Sequence, residues 1–314
     1  MESSPSQVGH AEKIIVPPCE TNEECNLPTD ISIRSSDGRR FGTHSRNLEF
    51  CSEGLIDSSR REEEDIVVSE SSDIIYLLLQ FMHNLPQPDL RSLPFEVLAT
   101  LASAAQKYSI HNAIGVCKLL MEKNAEEHPF EVYMYASRAG YEDIREKAGC
   151  LAIEQDPLRV FSYAVWANEV YTRDQAALAT VHLDAEEIIY SLSRYYTVFT
   201  KWHNIFVAWV KFRDHIYHTF TEVLRNPDSQ MRQEHISGDC PRWNEFYCKM
   251  LVKLMNERPC LEAFEDCVDE YRYIVDDCAA CNKGVETWKV QIASAMSGGN
   301  MSFSSFVKSS SSRD

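Results

Sequence analysis

The chain has 314 residues, of which 44% are hydrophobic, and a formal net charge of −17. This charge repels nucleic-acid phosphates and anionic lipid headgroups, so it argues against nucleic acid or a membrane surface as a partner. The length favours two domains over one. The composition is that of an ordinary folded protein rather than a disordered one.

The compartment can be inferred from segments that the sequence lacks. No apolar run approaches the ~18 residues of a membrane span. The start of the chain has neither the basic region nor the apolar core of a signal peptide. Eleven cysteines, an odd number, are more typical of reduced thiols than of a disulfide framework. We therefore expect an intracellular protein of the cytoplasm or nucleus, without a membrane segment.

Strands are predicted only near the start of the chain. Residues 1–28 combine prolines with acidic side chains and show no period, which predicts a disordered acidic arm. Ile31 and Ile33 alternate with polar residues, and Ser36-Asp37-Gly38 supplies turn chemistry before a second extended stretch. This pattern predicts a β-hairpin.

The remaining pattern is helical. A third strand at Ile66–Val68 precedes a helix that starts near Ile74, with Ser71, Ser72 or Asp73 as its cap. Further apolar stripes recur at spacings of three and four residues. The polar stretch Asn124–Pro129 is the expected domain boundary. The predicted division is a disordered acidic arm at 1–28, a first domain at 29–123, an α-helical domain at 129–296 and a disordered Ser-rich tail at 297–314.

Particular residues of the first domain follow the pattern of a known family. In the hairpin and the helix after it they are Asp30, Ile31, Ser32, Ile33, Gly38, Phe41, His44 and Leu48. Further along they are Ile66–Val68, Ile74–Met82, Ala104–Tyr108 and Cys117. With these residues the segment 29–123 resembles the BTB/POZ family, and the helical remainder resembles the extensions of fungal BTB proteins. The resemblance implies an α+β fold: a BTB/POZ-like domain of short strands and helical hairpins, followed by a mostly α-helical domain.

The resemblance also implies a function in protein–protein interaction. BTB domains commonly form homodimers, and some are scaffold or adaptor proteins that bind the cullin of a ubiquitin ligase. Two segments depart from the family, Cys51–Leu55 and the residues after Met82, and no familiar receptor module follows the first domain. The expected partners are therefore proteins: a second copy of the chain or a cullin scaffold. The candidate interaction surface is Ile74, Leu78, Met82 and Tyr108.

The sequence contains no phosphate-binding GxxxxGK(S/T) loop, no GxGxxG after a strand, no GxSxG elbow and no HExxH helix, so a non-enzymatic protein is expected. The strongest chemical signal is the pair Cys278 and Cys281, whose spacing suits two zinc ligands. Cys240 with His235 or Cys248 would complete such a site. Ordinary free thiols are the favoured interpretation, so no cofactor is expected; a structural zinc and a redox dithiol are the alternatives. The alternative function is a thiol- or metal-dependent enzyme centred on this pair.

Two further features have a structural and a functional interpretation. His44 is expected to pack and form hydrogen bonds at the end of the hairpin. An apolar stripe in the long helix of the second domain is either core or an exposed partner-binding face, and its composition favours core. The residues of this stripe are Val198, Trp202, Ile205, Trp209, Phe212 and Ile216.

Overall fold

The structure is a computed structural model. It describes residues 16–21, 25–55, 64–83, 86–195, 199–225, 240–254, 260–297 and 302–311. Helices dominate these residues, and a three-stranded sheet lies near the start of the chain. The expected α+β, helix-rich class is therefore confirmed. The chain forms two compact units, Met1–Leu151 and Ala152–Asp314.

The sheet of the first unit is built around a hairpin. Strand β1 (Ile31–Arg34) pairs antiparallel with β2 (Arg40–Thr43), and β3 (Ile66–Val67) pairs parallel with β1. Gly38 adopts a φ of 86° in the turn between β1 and β2, a conformation that glycine reaches without steric strain. The predicted hairpin and third strand are both present. The strand order is β2-β1-β3.

Helices make up most of the other described residues of the first unit. Their apolar faces meet in a core that includes Leu101, Ala105, Cys117 and Met121, each essentially inaccessible to solvent. The helices are α1 (Ser45–Cys51), α2 (Ser72–Phe81), α3 (Phe95–Lys107), α4 (His111–Lys123), α5 (Pro129–Ala139) and α6 (Glu142–Gln155).

The division between the units falls within α6, later than the expected boundary at Asn124–Pro129. Helix α5 packs against α3. The ring of His128 stacks on that of Phe95 at 3.8 Å between centroids. The polar stretch is thus a turn between two packed helices, because Pro129 begins α5 at a position where a proline needs no hydrogen-bond partner.

The second unit is entirely helical in the residues described. Its core holds Trp209 and Trp288, both at most 1% exposed. Within the long helix, Trp209, Phe212 and Ile216 are buried, so this part of the apolar stripe belongs to the core; Val198 lies outside the described residues. The helices are α7 (Pro157–Ala167), α8 (Val170–Ala179), α9 (Ala185–Tyr195), α10 (Phe199–Arg225), α11 (Pro241–Leu254), α12 (Leu261–Tyr271), α13 (Ala279–Met296) and α14 (Phe303–Ser311).

The expected disordered tail is corrected for residues 302–311, where the chain forms helix α14. Phe303 is 0% exposed, and its ring contacts those of Phe161 and Phe212 edge to face at 5.5 and 5.8 Å. The backbone N–H and hydroxyl of Ser304 both donate to the carboxylate of Asp174. A buried aromatic ring and a capped end are thus among the contacts that hold this mostly polar segment as a helix.

None of the helices in the described part of the chain is both long enough and apolar enough to cross a membrane.

Candidate metal centre

Four potential metal ligands converge in the first unit, from three separate parts of its chain. Cys19 and Cys25 come from the segment before the sheet, His44 directly follows β2, and His83 follows α2 by two residues. Their ligand atoms all lie within 4.8 Å of one another. The two histidines are 5% and 6% exposed, and the two cysteines are partly buried. We call this group the cysteine–histidine cluster.

The distances within the cysteine–histidine cluster are close to those of a zinc site. Cys19 Sγ lies 3.3 Å from His83 Nε2, and Cys25 Sγ lies 3.2 Å from His44 Nε2. Around a tetrahedral zinc with bonds of about 2.3 Å to sulfur and 2.0 Å to nitrogen, sulfur and nitrogen are about 3.5 Å apart. An expansion of a few tenths of an ångström would therefore accommodate the ion.

Both imidazole rings are held by backbone carbonyls. His44 Nδ1 lies 3.0 Å from the carbonyl oxygen of Pro28, and His83 Nδ1 lies 2.7 Å from that of Leu79. A carbonyl oxygen only accepts, so each Nδ1 carries the proton and donates it. In the neutral ring, the lone pair of Nε2 then faces a cysteine sulfur. Zinc-binding histidines typically have their other ring nitrogen held in this way.

The segment that carries the two cysteines packs on the hairpin, which corrects the expectation of a disordered arm for residues 16–21 and 25–28. The hydroxyl of Thr29 donates to the carbonyl oxygen of Pro17 at 2.8 Å. At Gly42 of β2, an added Cβ would lie 1.8 Å from that same oxygen. Glu20 forms a surface ion pair with Arg39 at 3.3 Å. Residues 1–15 and 22–24 lie outside the described residues.

Burial opposes a bare thiolate in the cysteine–histidine cluster. Desolvation raises the pKa of the Cys25 thiol; the backbone amide of Leu27 opposes this, and the neighbouring Cys19 adds to it. Two thiolates side by side would repel each other in this partly buried position. A divalent cation between them would remove both penalties, because it neutralises the two charges together.

A second group brings together three of the residues that the sequence singled out. Cys240 precedes α11, Cys278 precedes α13, and Cys281 lies in the first turn of α13. Their sulfur atoms lie within 4.8 Å of one another, and that of Cys281 is 3.6 Å from that of Cys240. The proposed partner His235 lies outside the described residues, and the alternative Cys248 is exposed and not part of this group. We call these residues the three-cysteine cluster.

The two thiols of the CxxC pair differ in the direction in which their surroundings shift the pKa. The backbone N–H and the thiol of Cys281 lower the pKa of Cys278. Burial raises the pKa of Cys281, and the neighbouring Cys278 and Cys240 thiols add to this effect. The eleven cysteines, all within the described residues, are reduced thiols; for buried Cys117, burial raises the pKa to about 12. The surroundings therefore shift the pKa values of the two CxxC thiols in opposite directions.

The expected interaction surface on the first unit is corrected by the structure. Ile74, Leu78, Met82 and Tyr108 are each at most 5% exposed and belong to the core. The hydroxyl of Tyr108 donates to Glu70, which also accepts from Lys107 Nζ at 2.8 Å. Ile74 and Leu78 face inward because they lie on the buried stripe of α2, whereas Met82 and Tyr108 directly follow α2 and α3 and are buried there. They are therefore not available to a partner of the folded unit.

The cysteine–histidine cluster was not found from the sequence. The composition around Cys19 and Cys25 predicts disorder, the position of His44 predicts a structural role, and no sequence pattern marks His83. The four positions span 64 residues without a short repeat of ligand spacing. One sequence feature does point to a metal site: two cysteines lie shortly before a hairpin, and a histidine follows the hairpin directly. The fourth ligand, His83, cannot be found in this way, because only the fold brings it close to the other three.

Comparisons of the chain with protein-family models, with curated proteins and with solved structures gave no match. Function must therefore be argued from the residues themselves.

Proposed function

We propose that the protein is a non-enzymatic protein-interaction protein whose first unit is a BTB/POZ-like domain that associates with a second copy of itself. The order of elements supports this proposal. A hairpin, a short third strand and then the three helices α2 to α4 follow one another in the order that the family resemblance implies. The resemblance rests on the residue pattern, since the fold class alone is shared by many functions.

The observation that carries self-association is the exposure of Phe50 on α1. Its side chain is 92% exposed, the highest value among large apolar side chains in the described residues. Phe41 and Phe81 of the same unit are 2% and 1% exposed. Burying one phenylalanine contributes roughly 1.5–3 kcal/mol. In a twofold symmetric dimer the same patch is used twice, so Phe50 would contribute on both sides of the interface.

Light scattering coupled to gel filtration of the full chain tests this proposal. The wild type should elute at twice the 36.0 kDa mass of the chain. Replacement of Phe50 by Asp should weaken the dimer by at least ~100-fold, because two buried rings are lost and two charges face each other. Leu119→Asp is the matched control, since Leu119 is 69% exposed on α4 and should leave the dimer unchanged. A wild-type monomer at every concentration would contradict the proposal.

A cullin scaffold is the more specific partner that the resemblance implies. Tyr108 and Met82 are buried in the core and cannot contact a cullin. In contrast, Tyr76 of α2 is 36% exposed and Val67 of β3 is 64% exposed. We propose these two side chains as part of the cullin-facing surface. Purified cullin should bind the wild type and lose affinity for a Tyr76→Asp, Val67→Asp variant, whereas no binding to the wild type would remove this partner.

The second candidate function is the thiol- or metal-dependent enzyme centred on Cys278 and Cys281. The lowered pKa of Cys278 beside Cys281 favours it, because a lowered pKa increases the thiolate fraction. In the same light-scattering experiment, the Cys278→Ser, Cys281→Ser variant tests whether association depends on these thiols. An unchanged dimer would show that association does not need them, whereas loss of the dimer would tie association to the three-cysteine cluster.

A further inference from the structure

We propose that the first unit binds one structural zinc ion through Cys19 Sγ, Cys25 Sγ, His44 Nε2 and His83 Nε2. This inference does not depend on the proposed function. It depends on four ligand atoms of the right types that converge within 4.8 Å, with both Nε2 atoms facing sulfur.

The cluster contains two cysteine–histidine pairs rather than one, and this favours a metal site over a catalytic thiol. A nucleophilic cysteine needs one imidazole as its base and an open path for substrate. Here two such pairs converge, and both histidines are almost fully buried. Each ring is also fixed through Nδ1 by a backbone carbonyl, from Pro28 or from Leu79, which orients Nε2 into the cluster. Two oriented imidazoles and two thiols together make a complete tetrahedral ligand set.

The charges of the complex balance within the buried pocket. On binding, the Cys19 and Cys25 thiols lose their protons to solvent, and each sulfur forms a bond to the ion. Each neutral histidine contributes the lone pair of Nε2. Zn²⁺ with two thiolates has no net charge, so the complex avoids the large cost of an uncompensated buried ion. Two protons are released for each zinc bound.

The types and the number of the ligands favour zinc, in a structural rather than a catalytic site. Sulfur and imidazole nitrogen disfavour Mg²⁺ and Ca²⁺, which prefer oxygen ligands. A set of four protein ligands leaves no open position for water or substrate, as in structural rather than catalytic zinc sites. The ion would join the segment before β1, the end of β2 and the end of α2. It would therefore fix Cys19 and Cys25, and with them the described residues 16–21 and 25–28, on the hairpin.

Zinc content is the first test. The full chain, purified without chelator, should contain one zinc per chain by mass spectrometry of the metal. The Cys19→Ser, Cys25→Ser variant should lose it, with affinity reduced by at least ~100-fold. The matched control is Cys278→Ser, Cys281→Ser, which disrupts the three-cysteine cluster and should retain the ion. Zinc that disappears only in the control variant, or a wild type that neither contains nor binds zinc, would overturn the proposal.

Two further measurements separate loss of a ligand from loss of the fold. Co²⁺ added to the metal-free wild type should give the visible absorption of a tetrahedral site and the charge-transfer band of thiolate ligands; octahedral spectra would contradict the site. His83→Cys preserves a tetrahedral set of three sulfurs and one nitrogen and should still bind zinc. His83→Ala removes the ligand and should bind at least ~10-fold more weakly. A zinc affinity of His83→Ala equal to that of the wild type would exclude His83 as a ligand.

Discussion

At the scale of single residues, Gly42 determines how closely the segment before the sheet can lie on β2. The carbonyl oxygen of Pro17 occupies the space into which a side chain at position 42 would point. The Thr29 hydroxyl binds the same oxygen, so the segment is held where only glycine allows it. Two residues further along the segment is Cys19. The close approach at Gly42 is thus one of the contacts that bring this ligand to the cysteine–histidine cluster.

We expect Gly42→Ala to destabilise the first unit by about 1–3 kcal/mol, the usual effect of an overpacked contact. The new Cβ would meet backbone rather than a flexible side chain, so the segment at Pro17 must move away. Chemical denaturation measures the change in unfolding free energy, and hydrogen exchange should show faster exchange in residues 16–21. The control is Gly115→Ala in α4, where a Cβ meets nothing within 4 Å.

In an exposed helical position, alanine is more favourable than glycine by about 0.5–1 kcal/mol. Gly115→Ala should therefore stabilise the protein slightly, opposite in sign to Gly42→Ala. Equal stability of wild type and Gly42→Ala would mean that Pro17 does not lie against β2.

At the scale of elements, the turn of the hairpin caps a helix far away in sequence. The Asp37 carboxylate accepts hydrogen bonds from the backbone N–H and the hydroxyl of Ser72 at 3.0 and 2.6 Å. Asp30 binds Ser45 at the start of α1 in the same manner. The sequence predicted local caps for α2, and Ser71 does occupy the N-cap position but makes no side-chain cap bond. A local pattern cannot reveal a cap that comes from 35 residues earlier.

The stabilisation by Asp37 should depend on pH. Hydrogen bonds from Ser35 and Ser72 lower the pKa of Asp37 from 3.8 to about 2. The folded state thus holds the carboxylate more strongly than the unfolded state, and the contribution is fully present above about pH 4. It is lost as pH falls towards 2, because protonation removes the charged acceptor. Asp37→Asn should therefore be less stable than wild type at neutral pH, and the difference should vanish near pH 2.

The matched control is Asp73→Asn, which removes an acidic residue from the first turn of the same helix without removing the bonds to Ser72. Asp37 is fully exposed, so added salt should reduce its effect. Thermal unfolding across pH 2–7, with and without added salt, measures the stability of both variants and the effect of salt. If the two variants lose the same stability at neutral pH, the effect belongs to the helix dipole rather than to the cap.

At the scale of the whole molecule, the sequence predicts the elements that have a regular hydrophobic period, but it does not predict contacts between residues far apart in the chain. The hairpin, the helices and the buried part of the stripe at Trp209, Phe212 and Ile216 follow from local hydrophobic period. The cysteine–histidine cluster depends on chain segments that meet only after folding. The predictions of disorder for residues 16–21, 25–28 and 302–311 were wrong for a related reason. The average composition of a segment does not show whether one of its residues, such as Phe303, is buried in the folded protein.

Helix α14 allows a test of whether burial of one residue holds a polar segment in place, because Phe303 packs this helix against the rest of the second unit. Phe303→Ala should destabilise this unit by about 3–5 kcal/mol, the usual effect of truncating a buried phenylalanine. All five tryptophans of the chain follow residue 152, so their fluorescence monitors unfolding of the second unit alone. The control Val290→Ala, at a position 69% exposed on α13, should change stability by less than about 0.5 kcal/mol. Equal denaturation midpoints for the two variants would mean that α14 is not docked, because only a buried ring gives the larger loss.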